Sequence, residues 1–200
     1  MKPILSFCAG IMMLACISLA GPVLAHKHVE TALSGPAYSN ATILIIRHAE
    51  KSDDGDELSA AGVARSNAYV HYFQTYKIDG RPVHLDAIYA AADSAGSART
   101  RLTVEPLSHA LGLPIDTSFK NKDFDDLADL LKSKASGKTV LISWHHHKIP
   151  DLVNALGADP SKLIPGGVWP DDQYGWVIQL CYDKSGHLIP SKTARIVEPM

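Results

Sequence analysis

The chain has 200 residues, 46% of them hydrophobic, and its 19 Lys and Arg nearly balance 21 Asp and Glu for a formal charge of −2. A chain this close to neutral is not built to coat a polyanion, which argues against nucleic acid or an anionic membrane surface as its partner. Its length suits one domain, and a core of that size needs no disulfide staples.

The first 25 residues read as an export signal. Lys2 is the only charge before His26, an apolar stretch runs from Ile4 to Ala20, and Val23-Leu24-Ala25 supplies a small-x-small cleavage site. Ser6, Ser18, Gly21 and Pro22 break the run, so stable membrane insertion is not expected. Cys16 after Met13-Leu14-Ala15 resembles a lipoprotein signal, which makes lipid anchoring the second reading. Removing residues 1–25 from the 200 leaves 175 and takes Cys8 and Cys16 away, so Cys181 has no internal disulfide partner. The product is expected to be secreted or periplasmic. Residues 26–40 read as a flexible leader and residues 41–200 as one domain.

Along that domain, short apolar runs alternate with helical patterns. Thr42–Ile46 is a β-branched run of the kind buried on both faces of a sheet. Ser59 caps a helix running to about Tyr76, with Ala61, Ala64, Ala68 and Tyr72 as its stripe, widened by Tyr69 and Phe73. Asp86–Ala91 is a second strand. Val104, Leu107 and Leu111 mark a helix stopped by Gly112 and Pro114. Phe124, Leu127, Ala128 and Leu131 recur at helical spacing, Thr139–Ser143 is a buried strand, Ile149, Leu152, Val153 and Leu156 form a further helical stripe, and Gly175–Tyr182 is a last strand. This alternation predicts an α/β fold, a three-layer α/β/α sandwich on a mostly parallel central sheet.

In open parallel sheets ligands bind beyond the carboxyl ends of the strands. Arg47-His48-Ala49-Glu50-Lys51 follows the first strand, Ser97-Ala98-Arg99-Thr100-Arg101 follows the loop after the second, and Trp144-His145-His146-His147-Lys148 follows the Thr139–Ser143 strand. Three strand ends thus bring Arg and His together with no equally placed carboxylate. A lone His48 would read as a satisfied core residue; in this company it reads as part of a site for a dianion, most simply a phosphoryl group.

The motifs carry a resemblance. Ile43–Lys51, I-L-I-I-R-H-A-E-K, resembles the Arg-His-Gly signature of the histidine phosphatase superfamily, with its phosphoglycerate-mutase-like fold; Ala49 stands where glycine is usual. Ser97-x-Arg99-x-x-x-Thr103-x-x-Pro106-Leu107 resembles that family's second arginine motif. Val140-Leu141-Ile142-Ser143-Trp144-His145-His146, continuing to Ile149-Pro150, resembles its second-histidine motif, and Trp169–Tyr174 resembles its C-terminal segment.

The resemblance implies a phosphomonoesterase that needs no cofactor and no metal. His48 would be the nucleophile and form a phosphohistidine. Arg47 and Arg99 would bind the phosphoryl oxygens, and His145 or His146 would donate to them. If the backbone stays extended there, only one of those two histidines lines the cleft; His147 is expected at the rim and Arg101 on the surface. Glu50 and Asp93 are the two candidates for the proton donor, with a solvated loop carboxylate as the plain alternative for either. Substrates would be phosphorylated small molecules or phosphoproteins.

Two further readings differ in class. A non-catalytic phospho-ligand binder would use the same cluster. A metal-binding protein would use His26, His28 and His145–His147, but adjacent histidines chelate one ion poorly and no third ligand group stands nearby in sequence.

Overall fold

The structure is a computed structural model that describes residues 35–53 and 55–199. The expected export signal, its cleavage site and Cys16 lie outside the described residues, as do His26 and His28. Among the described residues no helix is long and apolar enough to cross a membrane.

The strands and helices follow one another as β1 (Thr42–Arg47), α1 (Ala60–Gln74), β2 (Lys77–Ile78), β3 (Arg81–Pro82), β4 (Ala87–Ala90), α2 (Arg99–Leu111), β5 (Ile115–Asp116), α3 (Phe124–Lys134), β6 (Thr139–Trp144), α4 (Ile149–Ala155), α5 (Pro160–Leu163), β7 (Trp176–Cys181) and β8 (Ala194–Val197). The main sheet has the order β5-β4-β6-β1-β7-β8. β5, β4, β6 and β1 are mutually parallel, β7 runs antiparallel to β1, and β8 runs antiparallel to β7 and so in the direction of the other four. β1 and β6 lie side by side at the centre, in register from Thr42↔Thr139 to Arg47↔Trp144. That pairing puts the two histidine segments next to each other.

Alternation along β1 builds both faces. Ile43 and Ile45 pack with Leu127, Leu131, Leu152 and Val153 of α3 and α4; Leu44 and Ile46 pack with Tyr69, Phe73, Val104 and Leu107 of α1 and α2. All four β1 side chains are fully buried, and each contributes roughly 1.5–3 kcal/mol of transfer free energy. α3 also matches its dipole, with Asp125 and Asp126 in the first turn and Lys132 and Lys134 in the last.

Three expectations need correction. The buried face of α1 is Gly62, Ser66, Tyr69 and Phe73, while Ala61 and Ala64 are exposed. The helix starts hard against the β1 exit: Ser59 N–H donates to the Glu50 carbonyl at 2.9 Å, and a Cβ on Gly62 would lie 2.2 Å from that oxygen. The Ser66 hydroxyl then reaches the Leu102 and Thr103 carbonyls of α2. Close approach and hydrogen bonding, not apolar periodicity, chose this face. Second, the strand at Gly175–Tyr182 is not the last: β8 pairs beyond it, with the Arg195 guanidinium 4.3 Å from the Trp176 ring centre. Third, the end of the expected leader is packed: Tyr38 is buried, donates from its hydroxyl to the Ala128 carbonyl and stacks on Tyr182 at 4.8 Å.

Candidate active site

The carboxyl ends of β1 and β6, the start of α2 and the loop before β7 enclose a cleft of about 330 Å³, lined by Arg47, His48, Lys51, Arg99, Asn121, His145, His146, His147, Asp171 and Tyr174. A larger cavity of about 560 Å³ lies beside β8, against Tyr72, Tyr76 and Lys192, and contains none of the Arg and His cluster. Chemistry, not size, selects the first.

β1 carries its pairing one residue past the strand: the His48 N–H donates to the Trp144 carbonyl at 3.0 Å. The next amide, Ala49 N–H, donates to the Thr103 hydroxyl at 2.8 Å, and that hydroxyl donates to the Arg99 carbonyl. Thr103 therefore fixes α2, and Arg99 at its first turn, to the β1 exit. The His48 ring is set by Nδ1, 2.8 Å from the Ala49 carbonyl oxygen. A carbonyl can only accept, so Nδ1 carries the proton and Nε2 keeps its lone pair.

Arg47 is almost fully buried. Its Nη1 donates to the Pro170, Asp171 and Gln173 carbonyls, the Asp171 contact being 2.6 Å, and its guanidinium lies 3.9 Å from the Tyr174 ring centre. Trp169 Nε1 donates to the same Gln173 carbonyl at 2.7 Å. The Trp169–Tyr174 segment is thus a clamped wall, and Trp144 and Trp169 are core residues rather than part of the mouth. The Nε atoms of Arg47 and Arg99 and Oδ1 of Asn121 are buried without a hydrogen-bond partner. Buried polar atoms are normally paired; Ser143 Oγ, His146 Nδ1 and Thr193 Oγ1 are unpaired as well, so four of the six unpaired atoms among the described residues belong to residues that line the cleft.

Both His145 and His146 face this cleft. The expectation of only one assumed continued strand, but β6 stops at Trp144 and residues 146–148 form a 3-10 turn. His145 is the last extended residue, its ring 5.2 Å from that of His48; the turn swings His146 to 6.2 Å from the same ring. His146 Nε2 is 2.8 Å from Asp171 Oδ1. His147 is exposed at the rim, its ring centre 3.8 Å from that of His146. The donor atoms of His146, His147 and Asp171 lie within 4.8 Å of one another, which makes them, among the described residues, a group that could hold a metal ion.

Burial, above all, lowers the His48 pKa to about 3, helped by the charges of His145, Arg47 and Arg99 and opposed by the Ala49 carbonyl. Burial, then Arg99, lowers His145 to about 4. His146 is lowered too, by burial and Arg47, although Asp171 opposes this. The His48 and His145 imidazoles are neutral at pH 7, and the positive charge facing them comes from Arg47 and Arg99.

Glu50 and Asp93 are not brought into the cleft. Arg65 grips Glu50 with Nε and Nη2 at 2.8–3.1 Å. Burial pushes Glu50 up, but these bonds and the Arg65 charge hold it below the ordinary carboxylate value. Its partner is therefore Arg65, fifteen residues along the chain, rather than the adjacent Lys51. Asp93 pairs with Arg101 at 2.9 Å, and Arg101 also meets Glu105. Asn121 and Arg65 had no signal in the sequence, and Asp171 stood out only as part of the Trp169–Tyr174 resemblance. Asp171 and Asn121 sit in loops that the fold brings to the cleft, and Arg65 lies on a helix face that reads as solvated.

No family model matches the chain, and no curated protein matches it. Among solved structures it is similar to the protein histidine phosphatase SixA complexed with tungstate, with TM-score 0.53, 18% identity, 78% of this chain covered and 96% of that chain. It is also similar to the product of open reading frame Rv3214 from Mycobacterium tuberculosis, with TM-score 0.49, 14% identity and coverage of 75% and 96%. Phosphoglycerate mutase from Bacillus anthracis str. Sterne matches with TM-score 0.46, 16% identity and coverage of 81% and 93%. At such identities the first of these establishes the fold: phosphoglycerate-mutase-like, with a mostly parallel central sheet.

Proposed function

We propose that the chain is a phosphoric monoester hydrolase that works through a phosphohistidine on His48. One observation carries this reading: His48 is buried, neutral and held by Nδ1, so that Nε2 keeps its lone pair in a cleft lined by Arg47 and Arg99. Nε2 attacks phosphorus, the bond from phosphorus to the leaving group breaks, and the phosphoryl group stays on the ring. The imidazolium so formed keeps its Nδ1 proton on the Ala49 carbonyl, whose dipole stabilises the new charge. Water then attacks phosphorus, the P–N bond breaks, and inorganic phosphate leaves with the imidazole neutral again. Arg47 and Arg99 neutralise the equatorial oxygens, with His145 and His146 as further donors.

The carboxylates near this path are poor acids. Arg65 holds Glu50 ionised, and the hydrogen bond from His146 lowers Asp171; Asp93 lies outside the cleft, paired with Arg101. The reading therefore favours leaving groups that depart without a carboxylic acid, such as aryl oxygens or phosphoramidate nitrogens. The neighbour named as a protein histidine phosphatase, bound to tungstate, agrees with that chemistry and with phosphoproteins or phosphorylated small molecules as substrates. The reading includes export guided by residues 1–25, which N-terminal sequencing of the chain recovered from cell fractions tests.

The test of mechanism is an acid-quenched reaction of the purified protein with a labelled aryl phosphate. Label that is acid-labile, and absent in His48→Ala, is the expected result. Turnover without labelled protein, or full turnover by His48→Ala, refutes it. Tungstate is expected to inhibit competitively.

A further inference from the structure

Adjacent histidines usually chelate one ion poorly, because neighbouring side chains diverge. At residues 146–148 the chain escapes that limit. The 3-10 turn brings the rings of His146 and His147 to 3.8 Å between centres, and the clamped Trp169–Tyr174 wall sets Asp171 Oδ1 at 2.8 Å from His146 Nε2. All three donor atoms lie within 4.8 Å of one another. Donors about 2 Å from one zinc ion stand roughly 3 Å apart, so the His146–Asp171 edge already has the right length.

We propose that His146, His147 and Asp171 form a binding site for a transition-metal dication of the zinc class at the rim of the cleft. The donor set is two imidazoles and one carboxylate, the combination that suits zinc and its neighbours rather than magnesium or calcium. Approach is open, because His147 is exposed and the Asp171 side chain is 85% exposed. Positioning is firm on the other side: His146 is buried, and the Asp171 backbone carbonyl is held by Arg47 Nη1. On binding, the neutral His146 ring changes tautomer: Nε2 gives its proton to solvent, Nδ1 takes one up, and the Nε2 lone pair goes to the ion. Open coordination positions then remain for water, since the protein supplies three ligands. Filling the site and donating from His146 to a phosphoryl oxygen are mutually exclusive at that ring. The ion is therefore an inhibitor wherever His146 serves the phosphate; binding itself requires nothing of the phosphatase reading.

Calorimetric titration of the full chain with zinc chloride, without substrate, tests the site. One ion per chain is expected. His147→Ala and Asp171→Asn are each expected to weaken binding by more than the roughly 10–100-fold that loss of an outer-shell partner costs. Both side chains are exposed, and circular dichroism verifies that the variants fold. The His26→Ala/His28→Ala double variant is expected to keep the isotherm, as is His48→Ala, which removes the proposed chemistry but none of the ligands. Absence of binding, an unchanged isotherm in His147→Ala and Asp171→Asn, or binding lost only with His26 and His28 would overturn the proposal. Cobalt substitution adds a readout, since visible absorption that disappears in His147→Ala requires an imidazole at the ion.

Discussion

His48 and Glu50 are two residues apart on the exit from β1, yet they stand in opposite electrostatic surroundings. His48 turns to the cleft, where Arg47 and Arg99 carry positive charge and each leaves its Nε unpaired. Glu50 turns to a compensated network: Arg65 bridges Glu50 and the wholly buried Glu198 side chain at 2.8 and 2.9 Å, and the Tyr69 hydroxyl donates to Glu198 at 2.8 Å. In the network every charge has a partner, and the result ties α1 and the chain end after β8 to the β1 exit. In the cleft the cations lack matching carboxylates on their guanidinium Nε atoms, which suits them to the dianionic substrate of the proposed reaction. Pairing separates scaffold from site more sharply than burial does, since both regions are largely buried.

The largest effect expected from breaking this contrast is on the cleft side. His48→Ala removes the proposed nucleophile and is expected to lower kcat on an aryl phosphate by about 1000-fold or more, while the urea midpoint stays near that of the parent chain. On the network side the effect reverses. Arg65→Ala strands two acidic groups and is expected to cost about 3 kcal/mol of stability, read from urea unfolding, with far less change in turnover per folded molecule.

The next effect sharpens the contrast through pH. His48 and His145 have folded pKa values of about 3 and about 4, below the ordinary 6.5. The unfolded chain therefore binds more protons in this range. Their contribution to stability is complete above pH 6.5 and is lost as the pH falls toward those folded values. At pH 5 the loss from His48 is on the order of 2 kcal/mol. Glu198 works the other way: burial raises it to about 7 from 4.5, against the pull of Tyr69 and Arg65, so its contribution is lost as the pH rises through 7. Urea unfolding at pH 5 and pH 7.5 is expected to show lower stability at pH 5, with a steeper fall in Glu198→Gln.

The smallest expected effect is the most discriminating. Glu50→Gln is expected to keep turnover of an alkyl phosphate, whose leaving group needs a proton, within about twofold of the parent chain, whereas loss of a general acid costs about 100-fold or more. A drop of that size would return Glu50 to the chemistry and dissolve the division between network and cleft.

Much of the fold is legible in the sequence because it depends on local pattern. The β-branched runs at Thr42–Ile46 and Thr139–Ser143 announce central strands, and the spacing of Leu127, Ala128 and Leu131 announces the buried face of α3. The face of α1 is legible only in its second half, at Tyr69 and Phe73; in the first half alanines, Gly62 and Ser66 are alike to a hydrophobic pattern until another backbone lies against them. β8 is short and half-buried and gives almost no signal.

By itself, the sequence determined that Arg47, His48, Arg99, His145 and His146 would stand at strand ends, since strand order along the chain and parallel pairing place carboxyl ends together. Only the tertiary structure decided what each does there. A turn after Trp144 gave the cleft two histidines instead of one. Arg65 took Glu50, and Arg101 took Asp93. Asp171 came to His146 across 25 residues. The reason is that identity and spacing fix where a side chain starts, whereas ionisation and hydrogen bonding depend on the atoms within about 3 Å, which long-range folding alone supplies.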